Sequence, residues 1–231
     1  MTVQDIEIFR DTWSLYDRIL GRNYMFHDEI FRDVSAVLAT RYPQGSYRLL
    51  DLGCGNARHL SASLRPCAPA LYAGYDLSSA ALCQARDHLA SLSCPVDLRQ
   101  ADFQDAFRRD DGRFEVIFSS FAVHHLSSQD KQSFLKEARY HLAPGGCLLM
   151  ADTSREPDED RPEYLRNYCA WIRSDWRTLS ETDLASVEEH IRTRDFPESN
   201  AAIHEMATAA GFQRCTDLPK YHWHRTWLME P

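Results

Sequence analysis

No stretch of this 231-residue sequence approaches the roughly 18 consecutive apolar residues of a membrane span, and the polar, acidic start from Met1 to Asp11 is unlike a secretory signal peptide. No membrane partner is therefore expected. Paired cysteines are missing too: the seven present (54, 67, 83, 94, 147, 169 and 215) are scattered, odd in number and without Cys-x-x-Cys spacing. That pattern argues against a disulfide framework or a zinc site, so no metal is expected and a reducing, cytoplasmic compartment is. Basic residues are outnumbered, with 26 Lys and Arg against 34 Asp and Glu for a formal charge of −8. Such a chain is poorly suited to wrapping a phosphate backbone, and a nucleic-acid partner is not expected. Internal repeats and low-complexity tracts are absent as well. What is there, 44% apolar and 26% charged residues, suffices for one sizeable core.

The apolar rhythm divides the chain. Ile6, Phe9, Trp13, Tyr16 and Leu20 step by three and four residues and stop at Gly21; Ile30, Val34, Val37 and Arg41 repeat the pattern before Pro43. This predicts two N-terminal helices. From residue 47 short apolar runs alternate with amphipathic stretches. Strands are expected at 47–53, 70–76, 96–102, 114–120 and 146–152, with helices near 56–64, 78–91 and 129–142. Val116-Ile117-Phe118 and Cys147-Leu148-Leu149-Met150 are apolar on both faces, as strands covered by helices on each side must be. Alternation of this kind gives right-handed crossovers and a parallel sheet. Pro144-Gly145-Gly146 reads as the turn before the fifth strand. Beyond it, helices are expected at 163–179, 181–194 and 199–210, and two strand-like runs at 212–218 and 222–229. The fold class expected is α/β: a doubly wound, mostly parallel seven-stranded sheet in a single domain. It divides into an extension over 1–41, a core over 47–152, a helical insertion over 153–197 and a closing helix and strand pair over 198–231.

Polar groups gather at the strand ends. Leu49-Leu50-Asp51-Leu52-Gly53-Cys54-Gly55 ends a strand in an acid and a glycine turn, where backbone can approach a ligand and a helix start offers unpaired N–H donors. A dinucleotide fingerprint would need Gly-x-Gly-x-x-Gly, and the last position here is Arg58. Asp76, followed by Leu77, ends the second strand, where a carboxylate can accept both ribose hydroxyls. Asp102-Phe103 follows the third strand and offers a carboxylate beside an aromatic ring. The fourth runs through Ser119 into His124-His125. A tight strand–helix turn needs glycine on structural grounds alone, but four polar strand ends on one edge are the usual ligand site of an open α/β sheet.

In these motifs the sequence resembles the class I S-adenosylmethionine (SAM) dependent methyltransferases, with a weaker similarity in layout to SAM cyclases that form azetidine-2-carboxylate. Asp51-Leu52-Gly53-Cys54-Gly55 looks like their first motif, Asp76 their ribose acid, Asp102-Phe103 their adenine contact and Leu142-Ala143-Pro144-Gly145-Gly146 their turn before strand five. A third glycine is common in that family, and Ala57 stands at that position. The resemblance implies SAM as cofactor, with Gly53 and Gly55 at its methionine part, Asp76 on its ribose, Asp102 on its adenine, and the Ser119 carbonyl at its amino group. It also implies an N-terminal lid carrying Tyr24 and His27 as candidate catalytic groups. Tyr16 is a further candidate contact. Neutral His124 is a candidate base, and Tyr168, Trp171 and Trp176 are a candidate roof over an acceptor. A lone aromatic stripe is more often core, which is the expectation for Trp176. The function implied is methyl transfer to a small molecule, of secondary metabolism, by a monomer or homodimer. Alternatives are cyclisation of SAM to azetidine-2-carboxylate with release of methylthioadenosine, and a silent SAM binder.

Overall fold

The computed structural model describes residues 15–109 and 112–231. Ile6, Phe9 and Trp13 of the first expected helix lie outside them. Residues 15–21 are helical, and α1 follows at His27–Arg41. The five expected parallel strands are β1 (Arg48–Leu52), β2 (Leu71–Asp76), β3 (Val96–Gln100), β4 (Phe114–Ser120) and β5 (Leu142–Thr153). With β6 (Arg214–Asp217) and β7 (His224–Glu230) they make one seven-stranded sheet of order β3-β2-β1-β4-β5-β7-β6. β7 is reversed relative to the other strands, pairing antiparallel with β5 and with β6.

Strand periodicity splits the core in two, because successive side chains point to opposite faces. Leu49 joins Tyr72, Val116, Phe118 and Leu149 on one face, under α1, α2 (Arg58–Leu64) and α3 (Ser79–Leu89). Leu50 and Leu52 join Ile117, Leu148 and Met150 on the other, under α4 (Phe103–Arg109), α5 (Ser128–His141) and α8 (Asn200–Ala209). The helix α4 follows directly on the expected third strand and was not anticipated; Asp102 Oδ1 caps it by accepting from Gln104 N at 2.9 Å. The turn at 144–146 is part of β5. Phe114 pairs with Leu142 and Val116 with Cys147, so the intervening residues bulge out of register.

A third apolar cluster stands off the sheet. The insertion helices α6 (Arg161–Asp175) and α7 (Glu181–Arg194) contribute Tyr164, Tyr168, Ile172, Val187 and Ile191, and Leu15 and Ile19 of the N-terminal stretch pack among them. The expected two-helix lid is thus divided. Ile30, Val34 and Leu38 of α1 are wholly buried against the sheet, which makes α1 part of the main core, whereas 15–21 belong with the insertion.

Candidate functional site

The C-terminal ends of β1, β2 and β4 open into a cavity of about 280 Å³, closed above by Leu15, Tyr16, Ile19 and Met25 from the N-terminal side and by Trp176, Val187 and Ile191 from the insertion. Its floor is made of loops. Gly53 (φ +75°) and Gly55 (φ +51°) both adopt the left-handed conformation that glycine tolerates, and a Cβ on Gly53 would lie 2.7 Å from that of Ala122. The missing side chain leaves backbone bare at the cavity. Asp76 aims its carboxylate between them: Oδ2 accepts from Gly55 N and Oδ1 from Ser78 N, each at 2.8 Å. Burial pushes this carboxyl above its ordinary range, and the N–H groups of Ser78, Gly55 and Leu77 hold it back. Leu77, Asp102 and Phe103 complete this side of the lining. A carboxylate, bare glycine backbone, a second carboxylate and an aromatic ring are the donor set that a ribose, an adenine and an amino acid moiety require, so the residues fit SAM.

The side chains of three residues expected beside the cofactor turn away from the cavity. Asp51 points into the core, where its Oδ2 accepts from the Tyr72 hydroxyl at 2.5 Å. Burial lifts its pKa to about 7 even with that hydrogen bond. Cys54 is buried behind the turn, its thiol against Gly55 O at 3.8 Å. The Ser119 hydroxyl donates to Leu52 O at 2.8 Å inside the sheet, and the next residues, Ser120 to Ala122, line the cavity instead. A one-residue step along a strand exchanges the two faces.

The N-terminal candidates are also placed apart from the cavity wall. Tyr24 stacks on Trp176, ring centres 5.2 Å apart, while its hydroxyl pairs with Thr178 Oγ1 at 2.6 Å and accepts from Thr178 N at 3.0 Å. It ties the extension to the insertion. His27 is buried among Phe31, His59 and Phe121, and burial holds its imidazole neutral. Trp171 stacks on His222 at 5.1 Å, outside the cavity. Tyr16, Tyr168 and Trp176 do line it, and Trp176 is at once core and wall.

His124 is on the wall, but not as a neutral base. Its backbone N and its Nδ1 both bond to the carboxylate of Asp152 at the end of β5, and its Nε2 lies 3.6 Å from Asp195 Oδ1. Burial opposes its charge, yet Asp152 and Asp195 outweigh that and raise its pKa to about 9. At neutral pH this imidazole carries its proton and cannot take another. His125 and His190 stand beside it, and burial lowers His190 to about 4. Tyr168, opposite, donates its hydroxyl to His224 Nε2 at 3.0 Å; the other nitrogen of His224 serves Tyr221 O, which fixes that tautomer. His190 and Asp195 were not anticipated. They close the insertion some 70 residues from His124, and no local spacing announces them.

Comparison with known proteins agrees with this geometry. The family described as "Methyltransferase domain" matches residues 49–146. An uncharacterised methyltransferase of Bacillus licheniformis is 25% identical over 226 residues, 97% of this chain and 96% of its own. A carboxy-S-adenosyl-L-methionine synthase of Chromohalobacter salexigens is 26% identical over 192 residues, 80% of this chain and 68% of its own. Among solved structures, one titled a DhpI-SAM-HEP complex superposes with TM-score 0.64 at 18% identity, covering 98% of this chain and 96% of that one. Residues 49–146 thus match a methyltransferase domain, and the strand order and these likenesses support a class I SAM-dependent methyltransferase with SAM as its cofactor.

Proposed function

We propose that this enzyme transfers the methyl group of SAM to a small molecule held between the strand-end loops and the helical insertion. The observation that carries this reading is the roofed cavity at the strand ends. Asp76, Asp102, Gly53 and Gly55 line one side and Tyr16, His124, His125, Tyr168 and Trp176 another, under an apolar roof.

In the bound enzyme Asp76 holds the ribose, Asp102 and Phe103 the adenine, and the backbone about Gly53 and Gly55 the methionine part. SAM supplies an already activated electrophile, a methyl group on a cationic sulfur. The protein's task is therefore chiefly alignment and exclusion of water. The roof residues Leu15, Ile19, Val187 and Ile191 exclude solvent, while the Tyr16 and Trp176 rings offer faces that favour a cation. Charged His124, fixed by Asp152, positions rather than deprotonates.

One observation favours a second reading. At about 280 Å³ the cavity is at the small end of ligand pockets, roughly 300–1,000 Å³, which leaves little room beside SAM. Conversion of SAM itself, for example cyclisation to azetidine-2-carboxylate with release of methylthioadenosine, would need no more. The relatives named carboxy-S-adenosyl-L-methionine synthases carry a modified SAM in their names. Incubation of pure protein with SAM, with and without candidate acceptors, separates the two. S-adenosylhomocysteine formed only with acceptor supports transfer. Methylthioadenosine formed from SAM alone replaces it with cyclisation, and no turnover with any acceptor leaves a silent binder.

A further inference from the structure

Three imidazoles and a carboxylate for which cofactor binding has no use converge on the cavity wall. Asp195, just past the end of α7, is 4% exposed, and its Oδ1 accepts no hydrogen bond of normal geometry. Around that oxygen stand His125 Nδ1 at 3.4 Å, His124 Nε2 at 3.6 Å and His190 Nε2 at 3.9 Å. Without an ion the charge of that carboxylate is balanced by protonated His124; a cation bound there would displace the Nε2 proton and take over the same role.

The spacing suits such a cation. Two atoms bound to one tetrahedral ion at about 2.0–2.2 Å lie about 3.4 Å apart, so long contacts of this size are the edges of a coordination shell. His124 has a metal ligand's usual support: Asp152 occupies Nδ1 and turns Nε2 toward Asp195. Among the described residues, His124, His125 and Asp195 form the group whose donor atoms all come within 4.8 Å of one another. His125 Nδ1 also lies 3.3 Å from the Arg194 carbonyl, so it has to turn slightly to bind. We propose that His124, His125 and Asp195, with His190 beside them, form a site for a divalent transition-metal ion on the wall of the cavity. Three nitrogens and one oxygen suit zinc, iron, cobalt or nickel better than magnesium or calcium. All four residues line the cavity, so the ion faces the space beside SAM and offers a Lewis acid to whatever heteroatom lies there.

This inference is independent of which reaction the enzyme performs. The test uses chelator-treated full-length protein, titrated with Zn2+ in a calorimeter and with Co2+ in a spectrophotometer, with SAM binding measured in parallel. The expected result is a single saturable ion per chain, with the intense visible bands of a four-coordinate Co2+. Asp195→Asn and His125→Gln each weaken it at least tenfold, and Asp152→Asn weakens it by roughly 10–100-fold through loss of His124 orientation. Retained SAM binding in at least one of these variants shows that the loss is local. The exposed His204–Asp217 pair, 2.7 Å apart, is the control, and His204→Ala leaves the isotherm unchanged. Absence of saturable binding overturns the proposal, as does binding that survives Asp195→Asn and His125→Gln or disappears with His204→Ala.

Discussion

The floor and the wall of the cavity are built on different plans. Most of the floor is backbone: two left-handed glycines, and a carboxylate whose oxygens are held by the N–H groups of Gly55 and Ser78. Everything that makes it lies within a few residues of a strand end. Side chains make the wall, brought from residues 15–25, from the loop after β4 and from the insertion, and it coheres through contacts such as Tyr24 on Trp176. A floor of this kind can be carried through evolution by short motifs, and it specifies a cofactor. The wall can be rebuilt one side chain at a time, and it specifies what is done with that cofactor.

The largest effect expected from breaking the contrast is on the floor. Asp76→Ala removes two hydrogen bonds to backbone and the two proposed to ribose, each charge-assisted bond being worth about 1.5–3 kcal/mol. SAM affinity should fall by well over tenfold with the circular dichroism spectrum retained; unchanged affinity by calorimetry would remove Asp76 from the site. On the wall, Trp176→Ala empties a residue that is 2% exposed, so stability should drop by about 3–5 kcal/mol in urea melts. SAM affinity should move only a few-fold while turnover collapses. If SAM binding falls as far as it does in Asp76→Ala, floor and wall are one unit and the comparison fails.

A subtler difference is electrostatic. Asp51 lies behind the floor with its pKa near 7 against 3.8 for an ordinary carboxyl, because burial disfavours its charge and only Tyr72 donates to it, while Asp76 adds repulsion. A carboxyl with a raised native pKa binds its proton more tightly folded than unfolded. Its contribution to stability is therefore full below about pH 4 and is lost as the pH climbs through 7. At about 1.4 kcal/mol per pKa unit, up to about 4 kcal/mol is at stake. Asp51→Asn keeps an acceptor for Tyr72 but cannot ionise, so its stability relative to wild type should improve steadily from pH 4.5 to pH 8. A constant difference across that range would mean Asp51 titrates normally.

The same contrast explains what could be read from the sequence. Strands β1, β2 and β4, the Gly53–Gly55 turn and Asp76 were all visible, since alternation, glycine and a terminal acid are local signals. That the Ser119 hydroxyl turns into the sheet was not legible, because apolar runs in a doubly covered strand carry no alternation to say which face is which. His124 was identified but given the wrong charge: its pKa is decided by Asp152 and Asp195, and no spacing in the chain foretells that three elements will meet there. The expectation of no metal came from cysteine spacing alone, which carries no information about the cluster of His124, His125 and Asp195. Helix α1 was assigned to a lid by resemblance, and its stripe of Ile30, Val34 and Val37 could not correct this, since it shows an apolar face without showing what covers it.

The smallest effect expected concerns Ala57, where the family often has glycine. It stands immediately before α2 at φ 53°, ψ 14°, a left-handed conformation that costs an L-residue roughly 1–2 kcal/mol. Glycine there would relieve the strain and serve better as a helix cap. It would also lose a buried methyl, worth about 0.8 kcal/mol, and gain unfolded-state freedom worth about 0.4–1 kcal/mol. The terms nearly cancel, so Ala57→Gly should change stability by no more than about 0.5 kcal/mol. Ala85 is the matched comparison, since it is wholly buried in the interior of α3 in ordinary helical conformation. Ala85→Gly has the same methyl to lose and no strain to release, and helix propensity adds about 1 kcal/mol against it. It should destabilise by about 1.5–2 kcal/mol. Equal losses in the two variants, measured by urea denaturation side by side, would show that the backbone carries no strain at Ala57.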